Sequence, residues 1–287
     1  MAAVLLLITP AHPTESPPTP SAAPVPLVES DPDVLRWLPP GYPITRVQVN
    51  AQAYPWRSIG RVTTYGGQQY CTGTLVGERL VLTAAHCVWR LRQFPSEINF
   101  LAGFQRNQYV AHAKAQRLHF APNYAGPPTS PAPHDANPQA LEAAFGDDWA
   151  LVELGEPIGQ QVGFLDWLAL DEAQVAQLGG LAQAQFAISG YRSDRAFVQT
   201  VDHGCRLAGF TAAGRLIVHD CPLMPGDSGG PILLAQNGQY RIVGMDVAGV
   251  PDKTSVVPAL RNQPRMKRGF AVPMTNLAAT FAALKQF

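Results

Sequence analysis

Charge is scarce in this chain: Asp, Glu, Lys and Arg make up 15% of 287 residues, against about 25% in an ordinary globular domain. What charge there is balances, with 21 basic and 21 acidic residues. That removes the positive field on which nucleic-acid and acidic-membrane binding rests. No apolar run is long enough to cross a bilayer, and the opening Val4-Leu5-Leu6-Leu7-Ile8 is far too short. Stable membrane insertion is therefore not expected. Helical periodicity is scarce, no repeat recurs at a fixed period, and there are only four cysteines.

Those cysteines fall in two pairs of equal spacing, Cys71 with Cys87 and Cys205 with Cys221. Two disulfides fit this pattern, each closing a loop worth about 3 kcal/mol in the chain-entropy account, and they imply an oxidising compartment. A rival is zinc, since His203-Gly204-Cys205 and His219-Asp220-Cys221 offer two His and two Cys. The ligand types suit zinc, but the twice-repeated H-x-C spacing is not a common zinc pattern.

Residues 1–12 read as a truncated secretory signal, with no Lys or Arg ahead of the apolar run; a misassigned start or a trimmed chain would account for that. Residues 13–46 are dense in proline and read as linker or propeptide. Short β-type runs bounded by Gly and Pro follow: Ile59–Tyr65, Gly73–Val76, Leu80–Thr83, Ile98–Gly103, Tyr109–Ala113 and Trp149–Leu154. A proline-rich insertion at 122–138 carries His119 and His134 near its edges, read as exposed loop histidines. After a connector over 159–178, further β runs appear at Ala184–Gly190, Gly214–Val218, Ile232–Leu234 and Tyr240–Met245. Only the C-terminus is convincingly helical, with Leu277, Phe281 and Leu284 on one face and Thr275 or Asn276 available as a cap.

Met224-Pro225-Gly226-Asp227-Ser228-Gly229-Gly230-Pro231 surrounds one serine with residues of great backbone freedom, as suits an exposed hydroxyl. Taken alone, the run also fits a glycine-rich turn. Acyl transfer by a serine also needs a base, a carboxylate to hold that base, and donors for the oxyanion. His86 closes the run Leu82-Thr83-Ala84-Ala85-His86-Cys87, and Asp147-Asp148 stands at the mouth of an apolar strand. Gly226–Gly230 also satisfies G-x-S-x-G, the elbow of α/β hydrolases, whose histidine must follow the serine; no histidine follows Ser228.

Three runs, Thr83-Ala84-Ala85-His86-Cys87, Asp148-Trp149-Ala150-Leu151 and Gly226-Asp227-Ser228-Gly229-Gly230-Pro231, resemble the blocks around the catalytic His, Asp and Ser of the chymotrypsin-like (trypsin-like) serine proteases, in that family's order. Cys71-Thr72-Gly73-Thr74-Leu75-Val76 resembles the block before the histidine, with Cys71 paired to Cys87. Tyr54–Ile59, Ser189-Gly190-Tyr191 and the pair Cys205 and Cys221 resemble the bacterial branch that includes the glutamyl endopeptidases.

The resemblance implies an all-β fold: two packed six-stranded antiparallel Greek-key β-barrels, at 47–158 and 179–272, with a C-terminal α-helix over 273–287. It implies a secreted or periplasmic serine endopeptidase, made as a zymogen and needing no cofactor or metal, acting as a monomer on polypeptide substrates. His86, Asp148 and Ser228 would form its triad, Asp148 being preferred to Asp147 on spacing, and Gly226 and Ser228 would supply the oxyanion N–H groups. Pro222, Leu223, Asp246 and Val247 are the candidates for a specificity pocket. Pro222 stands where trypsin-like members carry an aspartate, and Asp246 where glutamate-specific members carry a histidine. Asp246 would favour a basic side chain if it faces the pocket. Asp227 would receive a new α-amino group after cleavage between Arg46 and Val47. The alternatives are a catalytically weak homologue acting as a binding or regulatory module, and surface binding through Arg261, Arg265, Lys267 and Arg268.

Overall fold

A computed structural model describes residues 46–127, 138–178, 180–181, 184–203, 206–211, 213–251 and 266–284. Fourteen strands carry it: β1 (Arg46–Gln48), β2 (Ile59–Thr64), β3 (Gln69–Leu75), β4 (Leu80–Thr83), β5 (Asn99–Ala102), β6 (Ala111–Phe120), β7 (Ala150–Leu154), β8 (Gln185–Gly190), β9 (Thr200–Asp202), β10 (Leu207–Phe210), β11 (Ile217–His219), β12 (Pro231–Gln236), β13 (Gln239–Pro251) and β14 (Met266–Pro273). Five short helices join them: α1 (Ala85–Val88), α2 (Pro138–Phe145), α3 (Gly159–Val162), α4 (Glu172–Gln177) and α5 (Ala278–Leu284).

Strands β2-β3-β4-β7-β6-β5 close into a barrel, every neighbour antiparallel. Sequence alternation explains β6: Ala111, Ala113 and Ala115 turn inward while His112, Lys114 and Gln116 face out. The strand begins at Ala111, so Tyr109 and Val110 lie ahead of it. His119, expected in a loop, sits on β6 with its Nε2 3.0 Å from Glu153 Oε2. His134 lies outside the described residues.

The remaining strands form one half-barrel sheet in the order β1-β9-β8-β12-β13-β14-β11-β10. The overall plan is the expected one, with a difference in the second unit. Among the described residues it is an eight-stranded sheet, and its first edge comes from the start of the chain, where Arg46 pairs with Asp202 and Gln48 with Thr200. Pro231 opens β12, a strand position that tolerates a missing N–H.

The two units share a core. Phe100, Leu151 and Leu154 of the barrel belong to the same apolar cluster as Leu233, Ile242, Phe270 and Phe281 of the second unit. A second cluster, with Ile188, Ile217, Ile232 and Val243, lies within the half-barrel. Burial of each such side chain contributes about 1.5–3 kcal/mol. The C-terminal helix packs as its periodicity predicts, with Leu277 and Phe281 buried and Phe281 stacked on Trp167 at 5.2 Å. Asn276 does not cap it; its Nδ2 donates to the carbonyls of Gly146 and Arg215. No helix among the described residues is long and apolar enough to cross a membrane.

Candidate active site

The barrel register brings two sequence blocks to one place. Thr83, the end of β4, pairs with Ala150, the start of β7, so the residues just after β4 and just before β7 leave the barrel at the same end. His86 lies in α1, three positions past that point, and Asp148 two positions before it. Ala84 and Ala85 are fully buried, and their small side chains let the turn into α1 sit close against the barrel. The disulfide Cys71–Cys87 ties α1 to β3.

Asp148 grips His86 twice. Its Oδ2 lies 2.6 Å from Nδ1, and its Oδ1 accepts the His86 backbone N–H at 2.8 Å. The carboxylate is 1% exposed and the imidazole 28% exposed, so the charge is sheltered while the ring keeps an open edge. A carboxylate can only accept, so Nδ1 carries the proton and Nε2 of the neutral ring is left as a base. Burial pulls the ring toward the neutral form, but the charge of Asp148 and its hydrogen bond outweigh this, and the His86 pKa stands above the usual histidine value. Trp89, Phe120 and Tyr124 pack on one another with ring centroids 5.1–6.2 Å apart, and Tyr124 lies close to Asp148. Burial and then the nearby Asp148 charge push the Tyr124 hydroxyl pKa up. A cavity of about 460 Å³ opens here, lined by His86, Asp148, Arg90, Phe145 and Val247 among others.

The serine arrives from the other unit, on the loop between β11 and β12. Its carbonyl accepts the N–H of Thr72, next to the disulfide cysteine. A Cβ at Gly229 would stand 2.1 Å from the Thr72 carbonyl oxygen and 3.0 Å from Ala84 N; only glycine lets this loop approach the turn that carries His86. Gly226 has φ +95°, and a Cβ there would meet the Tyr191 carbonyl at 2.2 Å. Thr72 Oγ1 donates to the Gly226 carbonyl at 2.8 Å. Among the described residues, neither the Gly226 N–H nor the Ser228 N–H donates to another group. Two free N–H groups on a fixed loop suit a developing oxyanion.

Other sequence candidates fall elsewhere. Asp147 faces away from His86 and pairs with Arg215 at 2.6 Å. With Glu142, which accepts from Thr211 Oγ1 and from the Ala213 N–H, this pair pins the loop before Asp148 to the second unit. Leu223 is a buried member of the second core, whereas Val247 lines the cavity. Asp246, a candidate for the specificity pocket, is fully buried with its Oδ1 2.9 Å from His219 Nε2. Burial raises the Asp246 pKa, with His219 opposing. Asp246 also holds the serine loop through its main chain, accepting from Gly229 N–H at 2.7 Å and donating to the Gly230 carbonyl at 2.8 Å.

The zinc reading gives way on the same ground. His219 is committed to Asp246, Cys221 is disulfide-bonded, and His203 packs its ring edge-on to Trp56 at 6.4 Å; Cys205 lies outside the described residues. Cys71, His86 and Cys87 also bring ligand atoms together, but both sulfurs are used in the disulfide. Of the basic cluster, Arg261 and Arg265 lie outside the described residues. Finally, Asp227, expected to meet an α-amino group, meets the guanidinium of Arg46 instead, Nη1 to Oδ1 at 2.6 Å. Sequence reasoning missed this partner because the two residues are 181 positions apart.

Comparison with known proteins agrees with this architecture. A glutamyl endopeptidase of Bacillus licheniformis is 26% identical over 153 residues, which is 53% of this chain and 40% of that protein. The chain thus spans less than half the length of the curated relative it matches. A solved structure described as a Glu endopeptidase in complex with MPD shares the fold, with a TM-score of 0.57 and 21% identity over 83% of this chain and 95% of the other. The family model "Trypsin" matches residues 45–262, and the chain belongs to the trypsin family.

Proposed function

We propose that the protein is a secreted serine endopeptidase acting through Ser228, His86 and Asp148. One observation carries the reading: a buried carboxylate holds an imidazole by its Nδ1 side at the rim of a cavity, and the serine loop is bonded to the same end of the barrel. In this reading Ser228 Oγ attacks the scissile carbonyl and His86 Nε2 takes its proton. The tetrahedral intermediate is held by the N–H groups of Gly226 and Ser228, each worth about 2.7–4 kcal/mol. Its collapse breaks the C–N bond as His86 returns the proton to the leaving amine, leaving an acyl-enzyme for water to hydrolyse.

The substrates are polypeptides and the working form is a monomer, with a barrel unit from β2 to β7 and a second unit that takes β1 from ahead of the barrel, joined by the 159–178 connector. Glutamate preference does not follow from the relative's name, because the position where glutamate-specific members carry a histidine is held here by Asp246, buried against His219. Covalent labelling with a fluorophosphonate tests the reading. Labelling of the wild type that is lost in Ser228→Ala is the expected result. A correctly folded wild type that takes no label and cuts no peptide would leave the binding-module alternative.

A further inference from the structure

Asp227 is the internal strut of the serine loop. Its Oδ2 accepts the Met224 N–H at 3.0 Å, its own N–H donates to the Met224 carbonyl, and its carbonyl accepts the Gly230 N–H at 2.7 Å. A carboxylate so placed fixes both the turn before Ser228 and the one after it. It is 1% exposed, so its charge needs a partner in place; a buried charge left alone costs several kcal/mol.

The partner comes from the far end of the chain. Arg46 Nη1 lies 2.6 Å from Asp227 Oδ1, and its side chain is also 1% exposed. Nε and Nη2 of Arg46 are buried without a hydrogen bond among the described residues, so the guanidinium is directed at this one carboxylate. The main chain of Arg46 is held on two sides: β1 pairs it with Asp202 of β9, and Arg195 Nη1 donates to its carbonyl at 3.2 Å. Other ionisable groups around the pair are Asp202 on β9, Asp246 on β13 with His219 on β11, and Tyr70 with Arg61 on the first barrel.

We propose that Arg46 is a positioning residue for Ser228: a cation built into the chain holds Asp227, and through it the loop that aims the Gly226 and Ser228 N–H groups. The inference rests on the endopeptidase reading. It requires that the Arg46–Val47 bond be intact in the active protein, since cleavage there would put the cation and the rest of the chain on different pieces. A lysine in the same place would present an ammonium, which loses its proton readily when buried.

The test uses the full chain and four variants, Arg46→Met, Arg46→Lys, Asp227→Asn and the Arg46→Met/Asp227→Asn double variant. Fluorophosphonate labelling rate, kcat, KM and circular dichroism are read for each. Arg46→Met should lower kcat and the labelling rate about 100-fold, the scale of losing one oxyanion donor, while KM moves less than about threefold. Arg46→Lys should recover most of the rate at neutral pH and acquire an alkaline limb that the wild type lacks. In the Asp227→Asn background Arg46→Met should cost nothing further, as coupled partners require. Sequencing of the labelled enzyme should find residue 46 attached to residue 47. Wild-type labelling in Arg46→Met, or a fully active form that starts at Val47, overturns the proposal. If Arg46→Met alone does not fold, the double variant decides: a native spectrum with wild-type rates overturns the proposal, and a native spectrum with a similar 100-fold loss supports it. A wild type with no labelling at Ser228 sinks the endopeptidase reading and this proposal with it, whereas normal wild-type labelling with indifferent Arg46 variants sinks this proposal alone.

Discussion

Two histidine–aspartate pairs stand on either side of the serine loop, chemically alike and built for opposite ends. His86 and Asp148 are 2.6 Å apart with the ring 28% exposed, while His219 and Asp246 are 2.9 Å apart and both sealed. In the first pair the carboxylate is buried and the imidazole keeps an open edge on the cavity, so a proton can come and go. In the second neither group reaches water, and Gly269 leaves room for the ring to lie on the β14 backbone, where a Cβ would stand 1.9 Å from His219 Cε1. Access, not pairing, separates a base from a brace.

Exchanging the two histidines for smaller residues should separate them most sharply. His86→Ala should lower kcat by roughly 10⁶-fold, as loss of the base does in serine hydrolases, with little change in melting temperature. His219→Ala should do the reverse in kind: it leaves Asp246 buried without its partner and should cost about 3–5 kcal/mol of stability, read by denaturant unfolding. A His219→Ala variant as stable as the wild type would remove the brace from the comparison.

Within the first pair, Asp148→Asn should lower kcat about 10⁴-fold. It should also move the acid limb of the kcat/KM profile. In the proposed mechanism His86 works as a neutral base, so activity should be lost as pH falls through its raised pKa. Removing the carboxylate charge lowers that pKa, and the limb shifts to more acid pH.

Within the second pair, the Asp246 pKa is raised on folding. The folded state therefore holds a proton that the unfolded chain has lost, and stability declines as pH rises from the ordinary aspartate pKa toward the raised one. Asp246→Asn should flatten that slope in melting temperature against pH. The smallest effect belongs to Asp147→Asn, which removes a partly exposed pair with Arg215 worth about 0–1 kcal/mol. Peptidase activity should stay within about threefold; a loss as large as that of Asp148→Asn would reassign the carboxylate.

The legible parts of this molecule were the local ones. Thr83–Cys87, Asp148–Leu151 and Gly226–Pro231 each carry their chemistry within a few residues, so a strand end, a small-residue turn and a glycine loop could be read where they stand. Arg46 could not be read this way. Beside Val47 it looks like a cleavage site, and only the β1–β9 register turns its side chain to Asp227. His219 had the same fate, since its neighbour Cys221 suggested metal, and Asp246 lies on another strand two places across the sheet. His119 was misplaced because the strand runs on past the point where the apolar alternation fades.

The β1–β9 pairing has a consequence for how the chain comes off the ribosome. Synthesis is vectorial, and Arg46 emerges long before Asp202, its partner in register. The first barrel can close and complete the His86–Asp148 pair while β1 still has no sheet to join and Ser228 does not yet exist. Under the proposed mechanism a growing chain therefore carries no nucleophile until Ser228 is made, by which point β9 has already emerged to receive the first strand.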